Sequence, residues 1–510
     1  MHDLRPERHS EDGARVTRIS RRALLAGGGA AVALRALPAP AREAGGQARP
    51  APLVLDDASR LNPTPVARHW RPAQVTGPSW LDALRAELKA AAAERRPVAV
   101  GAARHSMGGQ ALVRDGVAMT LDVRGEGRET WLEANPGAGT YRVAAGARWR
   151  QVIAALDPIG FSPTVMQSNH DFGVAATLSV NAHGWPVPHG PFGATVRSCR
   201  VMLASGEVVT CSRAAEPELF SLVMGGYGLL GVIVDLEVTM VPNARLRPTY
   251  ELLPAERLGP SMVAAITGDP TVPMAYGRLA VDAGRFLRES LLITYRPMPG
   301  APPGLTSGGF MVTMSREVFR AQIGSDRGKR ARWYAETVAG PKTSSGIASR
   351  NRLLNEPVAN LAGRDRTRTD ILHEYFLPAE GLETFLAACR KVIPASRQDL
   401  LNVTLRYVEE DRTSVLAYAR GGPRVAAVML FSQKMARADD EDMAAMTRRL
   451  IDAALDAGGS FYLPYRLHAR PEQVARAYPR VAEFRERKRH WDPELLFRNS
   501  LWTAYLGADA

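Results

Sequence analysis

The sequence predicts an α+β chain in which a two-part domain is interrupted by an inserted α+β domain. Three observations lead there. Helical and strand patterns alternate from about residue 62 to residue 243. From 244 to 470 the mixture differs, with Pro/Gly-rich and Arg/Ser-rich stretches between its elements. From 471 to 510 a further helical segment closes the chain. The length of 510 residues exceeds what one ordinary core holds, in keeping with several units. Apolar residues are 45% and charged residues 23%, which excludes general disorder.

The elements follow in chain order. Residues 1–41 read as an export signal. Arg21-Arg22 precedes the small-residue apolar run 23–34, and Ala39-Pro40-Ala41 supplies an A-x-A-like cleavage site. The twin arginine points to the Tat route, and so to a periplasmic or extracellular protein. Residues 42–61 read as a linker. Residues 80–94 carry Leu81, Leu84, Leu88 and Ala92 at helical spacing. Residues 97–101 and 117–123 read as strands with a polar loop between them. Next come a strand over 141–146, a helix over 149–156 and a hairpin, 196–203 with 207–210, around Ser205-Gly206. A short helix opens at Glu216 and stops at Gly225-Gly226, and an alternating strand runs over 232–241 to Pro242. In the middle block, 290–295, 374–377, 401–407 and 425–431 read as strands. Residues 380–392 and 439–457 read as helices, 297–310 as a loop, and 325–370 as a helix plus loop. Residues 471–490 read as one helix.

Charge and cysteines exclude several functions. The net charge is +13, but the 65 basic residues are spread along the chain. There is no basic stripe, zinc-finger spacing or RNA-binding aromatic motif, so nucleic acid is not the expected partner. No run of 18 apolar residues is present to span a membrane. Cys199, Cys211 and Cys389 are widely spaced, with no metal-binding pattern. Cys199 and Cys211 lie in strand-like runs and read as buried small hydrophobes, although an oxidising compartment leaves a disulfide open.

Three small-residue segments carry the chemistry. The first is Gly101-Ala102-Ala103-Arg104-His105-Ser106-Met107-Gly108, between two strands. Small residues there let consecutive N–H groups turn inward to meet phosphate oxygens. The second runs from Gly173 through Ala175, Thr177, Leu178, Asn181, His183 and Gly184 to His189-Gly190-Pro191. The third is Gly225-Gly226-Tyr227-Gly228-Leu229-Leu230-Gly231-Val232-Ile233. Both suit close approach of backbone to a flat ligand.

In order and spacing these segments resemble the vanillyl-alcohol oxidase / p-cresol methylhydroxylase family of FAD enzymes. Within it the chain looks nearest the sugar, alditol and lactone oxidases and decaprenylphosphoryl-ribose oxidase. The C-terminal run Tyr462-Leu463-Pro464-Tyr465 to Phe497 is similar to the end of the last of these. The resemblance covers about 62–243 and the last fifty residues, and it is weak over the middle. It implies a PCMH-type FAD-binding domain interrupted by a substrate (cap) domain. It also implies oxidation of a CH–OH group, by hydride transfer to flavin N5, in a polyol, sugar, lactone or alcohol. Dioxygen or an external acceptor would reoxidise the flavin. An amine or C=C substrate is the alternative, and a non-catalytic exported binding protein is a further one.

The resemblance assigns residues. Gly101, Ala102, Ala103, Arg104, Ser106, Met107 and Gly108 would wrap the FAD pyrophosphate, Ala102 and Ala103 serving only if they keep negative φ. His105 stands where members attach the flavin covalently. Gly173, Ala175, Thr177, Leu178, Asn181, His183 and Gly184 would line the flavin and ribityl chain. Gly228 and Ile233 would pack near adenine and ribose. Flavin chemistry needs a base for the hydroxyl proton and a positive group near the reduced ring. Glu374, Arg406, Tyr465 and His468 are the candidates. Alternation sets Glu374 opposite in facing to His373 and Tyr375, and places Asn402, Thr404 and Arg406 on one face. Tyr465 stands where the ribose oxidase has a catalytic Lys. It would act as a base if Arg466 or His468 lowered its pKa.

Overall fold

The computed structural model describes residues 52–507 apart from 126, 306–316, 318, 344 and 358–364. The expected export signal lies outside the described residues. Residues 52–507 hold three main sheets. A three-stranded parallel sheet has Val117–Thr120 at its centre, between Arg68–Trp70 and Val98–Gly101. The helix Gly77–Ala93 buries Trp80, Leu84, Leu88 and Ala91, one stripe at a spacing of three to four residues.

A six-stranded antiparallel sheet follows. Its order is Val208–Ser212, Val196–Met202, Val232–Pro242, Thr140–Ala144 and Leu132–Asn135, with Phe161–Pro163 also on the central strand. The strand read as alternating over 232–241 forms; Val232 to Leu236 are buried throughout, and burial alternates only from Glu237 on. The expected hairpin forms, with Gly206 at φ +85° in the turn. Cys199 and Cys211 lie directly opposite each other across it, as buried free thiols with Sγ atoms 3.3 Å apart.

The third sheet has eight strands. Its order is Ala348–Ser349, Arg245–Pro254, Glu289–Pro297, Met274–Leu279, Asp399–Val408, Arg424–Lys434, Arg368–Leu377 and Ser460–Phe461. Register settles its two faces. Arg278 pairs with Thr404, Thr404 with Val428, and Val428 with Glu374, so these four share one face. Gly277, Leu405, Ala427 and Tyr375 form the row on the other face. A Cβ at Gly277 would lie 3.1 Å from Leu258 and Met262 of the helix Ala255–Thr267. The helix Arg437–Asp456 covers His373 on that same side, with Thr447 Oγ1 3.2 Å from His373 Nε2. One face is thus packed on these two helices, and the other carries the site, with the helical segment 326–339 over part of it.

The C-terminal segment returns to the first sheet. Val98 N–H donates to Leu496 (2.7 Å), and Arg498 N–H donates to Val98 (3.1 Å). Asp492 fixes this return by accepting from the N–H groups of Leu496 (2.9 Å) and Phe497 (2.8 Å).

Several elements differ from expectation. Residues 471–490 form two helices, Pro471–Ala477 and Val481–Trp491. Pro479 has no N–H to continue the first helix and disfavours helical backbone at Tyr478. Leu53–Leu55, placed in the linker, pairs with Thr64–Val66. The strands Arg245–Pro254 and Met274–Leu279 and the helix Ala255–Thr267 were not recognised, the last because Pro260 inside it reads as a breaker. Val174–Ser179 is a short helix within a run read only as small residues.

Candidate active site

A cavity of about 1670 Å³ lies between the small-residue segments and the face of the eight-stranded sheet that carries Glu374. It is larger than the roughly 300–1,000 Å³ of common small-molecule sites. Residues 101–107 form one wall. Gly173, Ala175, Ala176, Thr177, Gly228, Gly231 and Ile233 continue it. Arg104 takes the left-handed conformation at φ +52°, while Ala102 and Ala103 keep negative φ, so the alanines meet the condition set for them. The N–H groups of residues 102–106 make no backbone hydrogen bond to the described residues. Consecutive unpaired N–H groups along a cavity wall form a cradle for anionic oxygen.

The cradle is held from outside. Met107 N–H donates to Pro464 (2.8 Å), Gly108 N–H to Gln110 Oε1 (2.8 Å) and Gly109 N–H to Asp57 Oδ2 (2.8 Å). Gln110 Nε2 also donates to Leu463 (2.8 Å) and Tyr465 (2.9 Å), tying the loop to the C-terminal run. Gly173 lets the second segment approach, because a Cβ there would sit 2.9 Å from Ala102 Cβ. Gln167 Nε2, Ser168 Oγ, His183 Nδ1 and Trp185 Nε1 are buried, lack partners among the described residues, and belong to cavity-lining residues. Buried polar atoms ordinarily find partners, so four such atoms around one space fit a large polar ligand.

The opposite wall carries the charged groups. Glu374 bonds to His183 Nε2 and accepts from the Tyr465 hydroxyl (2.9 Å). Burial pushes the Glu374 pKa up. The pull and hydrogen bond of His183, the charge of Arg406 and the Tyr465 bond outweigh this and hold it below the usual carboxylate range. Tyr465 is the reverse case: burial, then the Glu374 charge and hydrogen bond, push its pKa well above the usual phenol value. It is a neutral donor at neutral pH, so its surroundings do not fit the base role the sequence offered it. Neither neighbour invoked for it serves that purpose. Arg466 pairs with Asp440 (2.9 Å) and Asn62 (2.9 Å). His468 contacts Thr447 (3.2 Å), on the helix side of the sheet, and is not in the cavity wall.

The other expected residues divide cleanly. Gly101, Ala102, Ala103, Arg104, His105, Ser106, Met107, Gly173, Ala175, Thr177, His183, Gly228, Ile233, Glu374, Arg406 and Tyr465 all line the cavity. Gly108, Leu178, Asn181 and Gly184 do not. Leu178 is wholly buried behind the wall, and Asn181 is spent on Asp411 (2.9 Å) and Gly193 (2.8 Å). Sequence reasoning missed Arg278, Arg332 and Glu336. Glu336 accepts from Arg278 (2.9 Å) and Arg332 (2.8 Å), and all three line the cavity. Burial would raise the Glu336 pKa, but the two guanidiniums bring it down to about 2. No motif announces this cluster. Its only local trace is the i,i+4 spacing of Arg332 and Glu336.

Comparison with known proteins bears on the cradle wall directly. Residues 72–212 match the family model of an FAD binding domain. The chain is 36% identical over 152 residues to cytokinin dehydrogenase 6 of Oryza sativa subsp. japonica, covering 29% of this chain and 28% of that protein. It is 31% identical over 245 residues to an uncharacterized oxidoreductase of the fasciation locus of Rhodococcoides fascians, covering 46% of this chain and 53% of that one. The chain therefore spans about half or less of the length of these curated relatives. Over 88% of its length it shares the fold of 6-hydroxy-D-nicotine oxidase from Arthrobacter nicotinovorans, with a TM-score of 0.59, 16% identity and 96% of that chain covered. Among the described residues, no helix is long and apolar enough to cross a membrane.

Proposed function

We propose that the protein is an FAD-dependent oxidoreductase that oxidises a CH–OH group of a small polyol, sugar, lactone or related alcohol. The observation that carries this reading is the buried carboxylate of Glu374, on the wall facing the cradle of an FAD-binding domain. When bound, the flavin supplies a two-electron acceptor for hydride. The N–H groups of residues 102–106 would hold its pyrophosphate, and Thr177, Gly228 and Ile233 would flank the rest. Glu374 would take the hydroxyl proton as the C–H leaves as hydride, giving a carbonyl product. His183 and Tyr465 hold the carboxylate in place. Leu372, Val428, Leu430 and Phe172 line the cavity and limit water. Electrons would leave to dioxygen or an external acceptor. The sheet face of residues 245–461 acts in this reading as the substrate-side layer of an inserted cap domain. The twin-arginine segment supports export by the Tat route.

An amine substrate is the second reading, favoured by the cytokinin and nicotine in the relatives' names. The substrate wall weighs against a cationic amine, because Arg278, Arg332 and Arg406 outnumber Glu336 and Glu374. A panel of alcohols, sugars and amines, assayed for both peroxide formation and dye reduction, tests the choice. Turnover of amines alone would reverse it.

His105 supports covalent attachment. Its ring lines the cavity and packs on Phe172 at 4.4 Å, and burial lowers its pKa, so it is a neutral imidazole at neutral pH. The expected result is flavin fluorescence that stays with the acid-denatured polypeptide and is abolished by His105→Ala. Flavin released by denaturation of the parent protein would show non-covalent binding.

A further inference from the structure

We infer that the substrate carries a carboxylate and that Arg406 anchors it. This rests on the flavin oxidoreductase reading and narrows its substrate class to hydroxy acids.

Of the guanidiniums on the sheet wall, Arg320 pairs with Asp370 (2.9 Å), Arg368 donates to Ser432 (2.8 Å), and Arg278 and Arg332 are committed as well. Arg278 donates to Glu336 (2.9 Å) and to Thr404 Oγ1 (2.8 Å). Arg332 donates to Glu336 (2.8 Å), Asn402 Oδ1 (3.1 Å) and the Leu401 carbonyl (3.0 Å). Asn402 in turn donates to Thr404 (3.1 Å). This closed network uses the charge of Glu336 and the polar atoms of the strand up to Thr404.

Arg406 is the next residue on that face, and it is left out. Its Nε is buried and has no hydrogen-bond partner. Among the described residues it makes no ion pair within 4 Å, and Glu374 is already bonded to His183 and Tyr465. The side chain lines the cavity. The side chain is half-buried with its Nε shut off from solvent, and a cation so placed without a hydrogen-bonded counter-ion fits a site completed by an anionic ligand.

The surroundings say which anion. The planar guanidinium matches a carboxylate through two parallel hydrogen bonds. Val428, Leu430 and Leu372 line the same wall and offer no donors, so one planar monoanion is matched better than a hydrated phosphate dianion. The hydroxyl-bearing carbon of the same molecule would face Glu374, and Arg406 would offset the repulsion between the two carboxylates.

The test uses purified flavin-loaded protein. Glycolate, gluconate and benzoate are titrated, with glycolamide and glycerol as neutral controls and inorganic phosphate as the dianion. Binding is read both by flavin absorbance and by tryptophan fluorescence. Trp185 lines the cavity and stacks on Tyr276 at 4.6 Å, which makes it a reporter beside the wall. Carboxylates should saturate the signal and the neutral controls should not. Arg406→Gln should weaken carboxylate binding about 10- to 100-fold, and Arg406→Lys by less. Equal binding of glycolamide, tighter binding of phosphate than of any carboxylate, or undiminished carboxylate binding by flavin-loaded Arg406→Gln overturns the inference. Should Arg406→Gln fail to fold, the acid-against-amide contrast in the parent protein and Arg406→Lys still decide it. A parent protein that binds no flavin overturns the function reading instead, which separates the two failures.

Discussion

Glu374→Gln is expected to lower kcat by about 10²- to 10⁴-fold while leaving bound flavin unchanged. The amide keeps the size of the carboxylate and can still accept from Tyr465 (2.9 Å in the parent protein), but it cannot take a proton. The pH profile adds a second check. The folded-state pKa of Glu374 is lowered, so the group is ionised through the neutral range and is protonated only below the ordinary carboxylate value, about 4.3. Activity limited by this base should hold as pH falls from 7 and drop only below that value. The same depressed pKa makes the ionised group favour the folded state above about pH 4.3, a contribution lost as pH falls through the folded-state pKa. A Glu374→Gln variant that retains full turnover would remove Glu374 from the mechanism.

Asp492→Ala is expected to cost about 3–5 kcal/mol of stability. Lys488 and Asp492 form an ion pair with both side chains fully buried, and Lys488 also lies 5.6 Å from the Trp502 ring. Removing Asp492 strands a buried ammonium and frees the N–H groups of Leu496 and Phe497, which the carboxylate holds. Burial already lowers the Lys488 pKa to about 8, against the opposing pull of Asp492. A lysine with a lowered folded-state pKa favours folding more as pH rises above that value, because the folded chain releases its proton first. Without the pull of Asp492 the Lys488 pKa falls further, so the variant releases the proton earlier and part of the loss should be recovered as pH rises toward about 8, above which both proteins gain alike. Denaturant melts at pH 7 and pH 9.5 measure both effects, and a Lys488→Met/Asp492→Leu double variant should be closer to the parent than Asp492→Ala alone. An unchanged midpoint for Asp492→Ala would show that the pair does not matter.

Local periodicity made much of this architecture legible. The two-residue repeat placed Glu374 away from His373 and Tyr375, and set Asn402, Thr404 and Arg406 on one face. The register agrees, because a strand offers only two faces. The cradle was readable from its small residues and its place between two strands. Long-range pairing was not readable. His183 meets Glu374 across 191 residues. Arg278 sits on a strand that was not recognised, and Glu336 in the stretch 325–370, which read only as a helix plus loop. Tyr465 shows the converse error: its sequence neighbours Arg466 and His468 were assumed to be its spatial neighbours, yet both turn elsewhere. The helix break at Pro479 was in the sequence and was read through, because the apolar spacing continues on both sides of it.

In the proposed function the cavity between the cradle and the eight-stranded sheet holds one FAD. The visible absorption spectrum of the purified protein tests it most directly, with FAD quantified against protein. Oxidised-flavin bands at about one FAD per chain are the predicted result. A colourless protein that takes up no FAD on titration would contradict the claim.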